Sequence, residues 1–375
     1  MIPYGRHSID EADIAAVVSV LKSDWLTTGP LVQQFEDALE KFVGTPAVVV
    51  SSGTSALHCA FAAINLNPDD EVITPPLTFI ATQATAAMFG ARIVFADIQT
   101  ATGNIDPTLV MKAINSRTKA IVAVDYAGHP ADLDELRKIA DEHGIFLIED
   151  AAHSFGSTYK GKQVGSIADL TTFSFFPTKN IATGEGGAVC SNDPLLLDKA
   201  RKFSRQGLVR DPLQFQISGQ GPWHQEVHEF GLNYRLPDIL CALGLSQLSK
   251  VNQFKIKRQH IFDTYSALLG GCDEVALPIQ KENVNVNWHL FPIRVDASAR
   301  LRIFNELRSN EIGVQVNYIP AYWHPVFKNT GYRRGDFPLA DGYYESEISL
   351  PIYPDLEDSQ IERVAKVLIK AVKSV

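Results

Sequence analysis

A chain of 375 residues, 45% of them hydrophobic, can bury a large core and is longer than one ordinary domain needs, so one large and one smaller domain are expected. The formal charge of -9 provides no general attraction to phosphate backbones or anionic membranes, which argues against nucleic acid as a partner but leaves room for a local basic pocket that holds a small phosphate. The opening MIPYGRHSIDEAD has no basic stretch ahead of an apolar one, and no uncharged apolar run approaches the roughly 18 residues of a membrane span, so a soluble cytoplasmic protein is expected. Cys59, Cys190, Cys241 and Cys272 stand far apart with no C-x-x-C pair, which points to buried free thiols rather than a zinc site or a disulfide framework.

Taken from the start, Ile9, Ile14, Val17, Val18 and Leu21 recur at helical spacing behind a cap expected at Ser8, with Asp10, Glu11 and Asp13 in the first turn. WLTTGP breaks that helix, and a second amphipathic one is predicted over Val32 to Val43. Pro46 to Val50 reads as a buried strand, stopped by SSGTSAL. Apolar runs at Glu71 to Ile73, Arg92 to Ala96, Ala120 to Val124, Ile145 to Ile148, Leu170 to Phe176 and Gly187 to Cys190 alternate with helical stretches, the pattern of a largely parallel sheet covered on both faces. Residues 202–228 follow neither period and read as a loop. From about Lys250 come a long polar helix, a strand over Trp288 to Val295, a helix over Arg300 to Asn310 and a last helix from Asp358. The expected division is a large domain over 1–248 and a small α+β domain over 249–375.

Three segments carry chemistry. In TTFSFFPTKNIATGEGGAVC a strand runs into a Pro-Thr-Lys turn and a glycine-rich segment. Partial burial there would lower the Lys179 amine and make it a nucleophile toward an aldehyde, although the turn alone fits an exposed loop lysine equally well. In IFLIEDAAHS four apolar residues bring Glu149 and Asp150 to the carboxyl edge of a strand, where open α/β sheets place ligands. Asp150 there either caps a helix or pairs with a protonated pyridine nitrogen, with His153 beside the same ring. In VVVSSGTSALHCA a strand meets a helix through Ser, Gly and Thr, so that free amides and hydroxyls face whatever lies there; a phosphate suits it, and so does a plain helix cap. It is neither G-x-G-x-x-G nor a P-loop. His224 and His228 in HQEVH raise metal binding, but the spacing is not H-E-x-x-H and Pro222 disfavours the helix such a site needs; no metal is expected.

In this order WLTTGP, SSGTSAL, TPPLTFIATQATAAMFGARIVFADI, GNID, EDAAHSFGS, FSFFPTKNIATGEGG and GLNYRL resemble the DegT/DnrJ/EryC1/StrS family of sugar aminotransferases, over nearly the whole chain. The resemblance implies an α/β protein of the type I aspartate-aminotransferase fold, with a large mostly parallel sheet domain and a smaller α+β C-terminal domain. It also implies a homodimer with active sites at the subunit interface, and pyridoxal 5'-phosphate (PLP) that becomes pyridoxamine 5'-phosphate during turnover. Carried over residue by residue, Lys179 matches the lysine that holds PLP as a Schiff base, Asp150 the partner of the ring nitrogen, and His153 the position that bonds the ring hydroxyl. Phe79 matches the aromatic stacked on the ring, Gly53, Thr54 and Ser174 the phosphate contacts, and Asn233 a residue that reaches the neighbouring subunit's site.

Within the family, IPYGRHSIDEADIAAVVSVLKSDWLTTGP, KAIVAVDYAG, ALGLSQLSKVNQFKIKR and GVQVNYIPAYWHP resemble the branch that acts in pseudaminic acid synthesis. That branch moves an amino group from L-glutamate to C4 of a UDP-linked 4-keto-6-deoxy-N-acetylhexosamine. The resemblance makes Tyr4, Asp24, Trp25, Leu26, Thr27, Asn317, Tyr318, Ile319 and Pro320 candidate substrate contacts, with Asn317 standing where the branch more usually has His. A deoxygenating dehydratase of the same fold would carry His in place of Lys179. Aminotransferases for other nucleotide-linked keto sugars, of bacillosamine, perosamine or 3-keto type, remain the alternative, and a non-catalytic binding protein of this fold is disfavoured by the intact Lys, Asp and phosphate set.

Overall fold

In the computed structural model, which describes residues 1–374, seven strands build the central sheet. They are β1 (Ala47–Val50), β2 (Glu71–Thr74), β3 (Arg92–Phe95), β4 (Thr118–Val124), β5 (Phe146–Asp150), β6 (Leu170–Ser174) and β7 (Gly187–Cys190). Their spatial order is β1-β7-β6-β5-β4-β2-β3, parallel throughout except that β7 runs antiparallel to both its neighbours. The strands are near-continuous apolar runs such as AVVV and TKAIVAV because helices cover both faces, leaving no solvated face to be marked by alternation.

Local signals set most of the boundaries. Ser52 caps the helix Gly53–Ala63 through a capping box with Ser55, and Asp106 and Asp193 cap helices that begin with proline. The first helix is Glu11–Leu21, and its cap is Asp10 rather than Ser8. Asp10 accepts the N–H groups of Ala12 and Asp13, while Asp13 reaches back to the Asp10 N–H; the Ser8 carbonyl instead takes a hydrogen bond from Gln247 at 2.9 Å. The strand expected to reach Phe176 ends at Ser174, as the chain turns toward Pro177. Of the strand expected over Trp288 to Val295 only Phe291–Arg294 forms, and Trp288 instead stacks flat on Phe262 with centroids 4.1 Å apart.

The C-terminal part pairs Phe291–Arg294 with Glu347–Leu350 and covers them with helices Val251–Leu269, Arg300–Ser309 and Asp358–Lys373. Ile261, Tyr265, Phe291, Ile348 and Leu368 join one apolar cluster with Ile121 and Leu147 of the large sheet, so the two parts share a core. The N-terminus ties them further: Ile2 bridges to Ile312, and Lys250 Nζ lies 2.7 Å from both Asp10 and Asp13.

Residues 202–228 are organised by polar contacts, which no hydrophobic period records. Leu208–Val209 pairs with Glu226–Val227, and the Glu226 carboxylate accepts the N–H groups of Gln216 and Ile217 at 2.8 and 2.7 Å. His224 and His228 both turn Nε2 onto Glu226, at 3.0 and 2.6 Å, so the two rings converge without a helix between them. All four cysteines are free and buried. Among the described residues no helix is long and apolar enough to cross a membrane.

Candidate active site

At the carboxyl edge of β5 and β6 lies a cavity of about 550 Å³. Of the residues singled out in the sequence it gathers Lys179, Asp150, His153, Phe79, Gly53, Thr54 and Ser174, and also Tyr4, Asn317 and Tyr318. Four stretches of chain, at Tyr4, 53–79, 150–179 and 317–318, thus meet at one place.

Asp150 is the last residue of β5 and is buried. Its Oδ2 accepts the Thr82 hydroxyl at 2.7 Å and its Oδ1 the Ala152 N–H at 3.3 Å. Burial pushes its carboxyl above the usual range, opposed by these hydrogen bonds and by the charge of Lys179. Lys179 sits in the turn after β6, its backbone N–H bonded to the Phe176 carbonyl at 2.8 Å. Its side chain is half-buried, and desolvation lowers the amine to about 8 while Asp150 pulls the other way. Among the described residues its amine makes no ion pair, which leaves it open to a ligand.

His153 Nε2 shares a hydrogen bond of 3.1 Å with the Tyr318 hydroxyl, and His289 packs against His153 with ring centroids 4.3 Å apart. Burial, reinforced by the charge of Lys179, holds both imidazoles well below their usual range, so both are neutral at pH 7. Phe79 is 56% exposed, an unusual state for a phenyl ring, and its open face belongs to the cavity lining. A Cβ added to Gly53 would stand 2.7 Å from Ser174 Cβ, so only glycine lets the helix Gly53–Ala63 start this close to β6. Ser52 takes the N–H of Ser55, which leaves the first-turn amides of Gly53 and Thr54 pointing outward from the helix start.

On the far wall, Asn317 Nδ2 donates to the Tyr4 hydroxyl at 2.6 Å and to Ser349 Oγ at 3.0 Å. The Asn317 backbone N–H donates to Glu347 at 2.8 Å, and its carbonyl accepts the Tyr126 hydroxyl at 2.5 Å. Burial pushes the Glu347 carboxyl up to about 8.

Other expected residues do not line this cavity within their own chain. Asp24, Trp25, Leu26 and Thr27 form an exposed bend between the first two helices. Ile319 and Pro320 follow Tyr318 away from the cavity, and Asn233 is exposed, its Oδ1 accepting from Arg235 Nε at 3.0 Å beside a separate basic hollow of about 380 Å³. Conversely, sequence reading missed Thr82 and His289. Thr82 stands four residues after Thr78 in TFIATQ, a helical spacing that could have placed it beside Phe79; His289 carries no such signal.

Residues 7–369 match the DegT/DnrJ/EryC1/StrS aminotransferase family. The chain is 39% identical to the spore coat polysaccharide biosynthesis protein SpsC of Bacillus subtilis, over 99% of this chain and 97% of that protein. It is 36% identical to the UDP-4-amino-4,6-dideoxy-N-acetyl-beta-L-altrosamine transaminase of Campylobacter jejuni, over 100% and 98%. Among solved structures it resembles PseC of Helicobacter pylori, an aminotransferase of pseudaminic acid biosynthesis, with a TM-score of 0.92, 33% identity and full coverage of both chains. It also resembles the sugar aminotransferase Spr1654 of Streptococcus pneumoniae in its PLP form, with a TM-score of 0.93 and 30% identity over 100% of this chain and 99% of that one. These likenesses carry the type I fold with them, and the chain belongs to the DegT/DnrJ/EryC1/StrS family of PLP-dependent sugar aminotransferases.

Proposed function

We propose that this protein moves an amino group from L-glutamate to C4 of a UDP-linked 4-keto-6-deoxy-N-acetylhexosamine, a step of pseudaminic acid synthesis, with PLP held on Lys179. The observation that carries the reading is the unpaired Lys179 amine, lowered to about 8, in one cavity with the buried carboxyl of Asp150. PLP supplies an aldehyde for an amine and a protonated ring that accepts electrons from a carbanion. The residues fit it: an amine for the aldehyde, a carboxylate for the ring nitrogen, an open aromatic face at Phe79 and a helix start for the phosphate.

In this reading Lys179 would hold the cofactor through its aldehyde, and the same amine, lowered by burial, would serve as the base that takes a proton from the donor's Cα and as the acid that gives one back. Asp150, oriented by Thr82, would keep the ring nitrogen protonated. Neutral His153, fixed by Tyr318, offers its ring to the cofactor hydroxyl without adding a positive charge. Gly53, Thr54 and Ser174 hold the phosphate. Tyr4, Asn317 and Tyr318 form the wall that meets the sugar, and Asp24, Trp25, Leu26, Thr27, Ile319 and Pro320 would meet the rest of the substrate.

Asn233 and the bend at residues 24–27 stand outside their own cavity and exposed, which supports a homodimer in which a second copy completes the site. Asn317 and the 39% identity to a spore coat polysaccharide protein favour, as a second reading, the same chemistry on another nucleotide-linked keto sugar. The deciding experiment offers the PLP-loaded protein glutamate and a panel of UDP-, dTDP- and GDP-linked 4-keto and 3-keto sugars. Amination of the UDP-linked N-acetyl 4-keto sugar at least tenfold faster than the others supports the first reading; preference for another member supports the second.

A further inference from the structure

Behind Asp150, on the opposite side of β5 from the cavity, the register of β4 and β5 sets the two fully buried carboxyl groups of Asp125 and Glu149 on one face at the ends of neighbouring strands. Asp125 follows the end of β4, Glu149 precedes Asp150 on β5, and the Asp125 N–H donates to the Asp150 carbonyl at 3.2 Å. Asp125 accepts the Ala131 N–H at 2.9 Å and the Ser154 hydroxyl at 2.6 Å. Glu149 Oε2 accepts the Thr171 hydroxyl at 2.9 Å and the Gly165 N–H at 3.2 Å. Glu149 Oε1 is buried and among the described residues has no donor. Among its titratable neighbours are Asp150 on the same strand and Cys190 on β7, whose thiol is pushed up and therefore uncharged.

We propose that Asp125 and Glu149 share one proton and act as a unit that positions the turn carrying Asp150 and His153. A proton on Asp125 or Glu149 supplies the one donor that Glu149 Oε1 lacks, and it removes a second negative charge from a site that no basic side chain pairs with. Desolvation raises both carboxyls, in line with that proton. The unit then fixes the turn through Ser154, the residue after His153, and fixes β6, which carries Ser174, through Thr171. The shared proton stands on the burial of the pair, their place on neighbouring strands and the unpartnered Glu149 Oε1; its consequence for the cofactor rests on the function proposed above.

The test begins with infrared spectra of the full-length protein at neutral pH in a Glu347→Gln background, since Glu347 is itself raised to about 8 and would contribute a protonated carboxyl. A protonated carboxyl band is expected, lost in Glu149→Gln and in Asp125→Asn. Glu149→Gln replaces the protonated partner by an amide of the same charge, so the thermal midpoint at pH 7 should stay that of the background. With PLP bound, the pH at which the Lys179 absorbance titrates should also stay in place in Glu149→Gln, and fall in the double variant Asp125→Asn/Glu149→Gln, where one negative charge is gone. No band, or a band unchanged in both variants, overturns the shared proton; should a variant not fold, loss of the band on alkaline titration of the parent supports it and a band absent throughout overturns it. A lost band with an unmoved titration in the double variant overturns the positioning role alone, and a protein that never colours with PLP sinks the cofactor reading without touching the infrared result.

Discussion

Thr82 donates a hydrogen bond of 2.7 Å to Asp150 Oδ2 from the first turn of the helix Ala81–Ala87. It is the shortest polar contact on that carboxylate and one of three influences that offset its burial. Thr82→Val keeps the shape and removes the donor, so Asp150 should hold its charge less well. A hydrogen bond to a charged group is worth about 1.5–3 kcal/mol, which sets the expected loss of kcat at roughly 10- to 150-fold. Steady-state kinetics check it, and an unchanged kcat would mean that Thr82 does not orient the acid.

The Lys179 amine, lowered to about 8, fixes a pH dependence for cofactor capture. Only the neutral amine attacks an aldehyde, so the capture rate of protein stripped of PLP should rise with pH through about 8 and then level. The folded value lies below the ordinary lysine value, so the protonated form is the one disfavoured by folding, and stability should fall as pH drops from the ordinary value toward about 8 and be flat below it. Stopped-flow absorbance gives the first profile and thermal unfolding the second. A capture rate still climbing beyond pH 10 would place the amine in ordinary solvent.

Gly53→Ala puts a methyl 2.7 Å from Ser174 Cβ and 3.0 Å from its Oγ. Overpacking of this kind costs about 1–3 kcal/mol. Denaturant unfolding should show that loss, with weaker PLP binding, and Ser174→Gly added to it should restore stability in part, because the clash is with Cβ rather than with the hydroxyl.

Tyr4 accepts a hydrogen bond from Asn317 at 2.6 Å and lines the cavity. Tyr4→Phe should raise KM for the keto sugar by about 3- to 10-fold, the worth of roughly one neutral hydrogen bond, and leave the glutamate half-reaction within twofold of wild type. Equal damage to both half-reactions would move Tyr4 from the sugar to the cofactor.

Much of this was legible in the sequence for physical reasons that differ from part to part. Strands buried on both faces announce themselves as apolar runs, so β1 to β7 could be located to within a residue or two, and the Ser-Gly-Thr and Pro-Thr-Lys turns pointed to the sheet edge where Gly53 and Lys179 meet. The cap at Asp10 was misplaced because Ser8 and Asp10 are both good caps and only the reach back from Asp13 decides between them. His289 and the Asp125–Glu149 pair were not legible, since each acquires its character from a neighbour more than twenty residues away. The order within residues 202–228 depends on one carboxylate, Glu226, which leaves no period to read.

The most direct test of the central claim is the absorbance spectrum of the PLP-loaded protein before and after glutamate, beside Lys179→Ala. A band near the visible edge that gives way to the shorter-wavelength pyridoxamine form in the parent, and no such band in a folded Lys179→Ala variant with no measurable turnover, is the predicted result. A parent that stays colourless with PLP, or a Lys179→Ala variant that transfers amino groups at near the parent's rate, would contradict it.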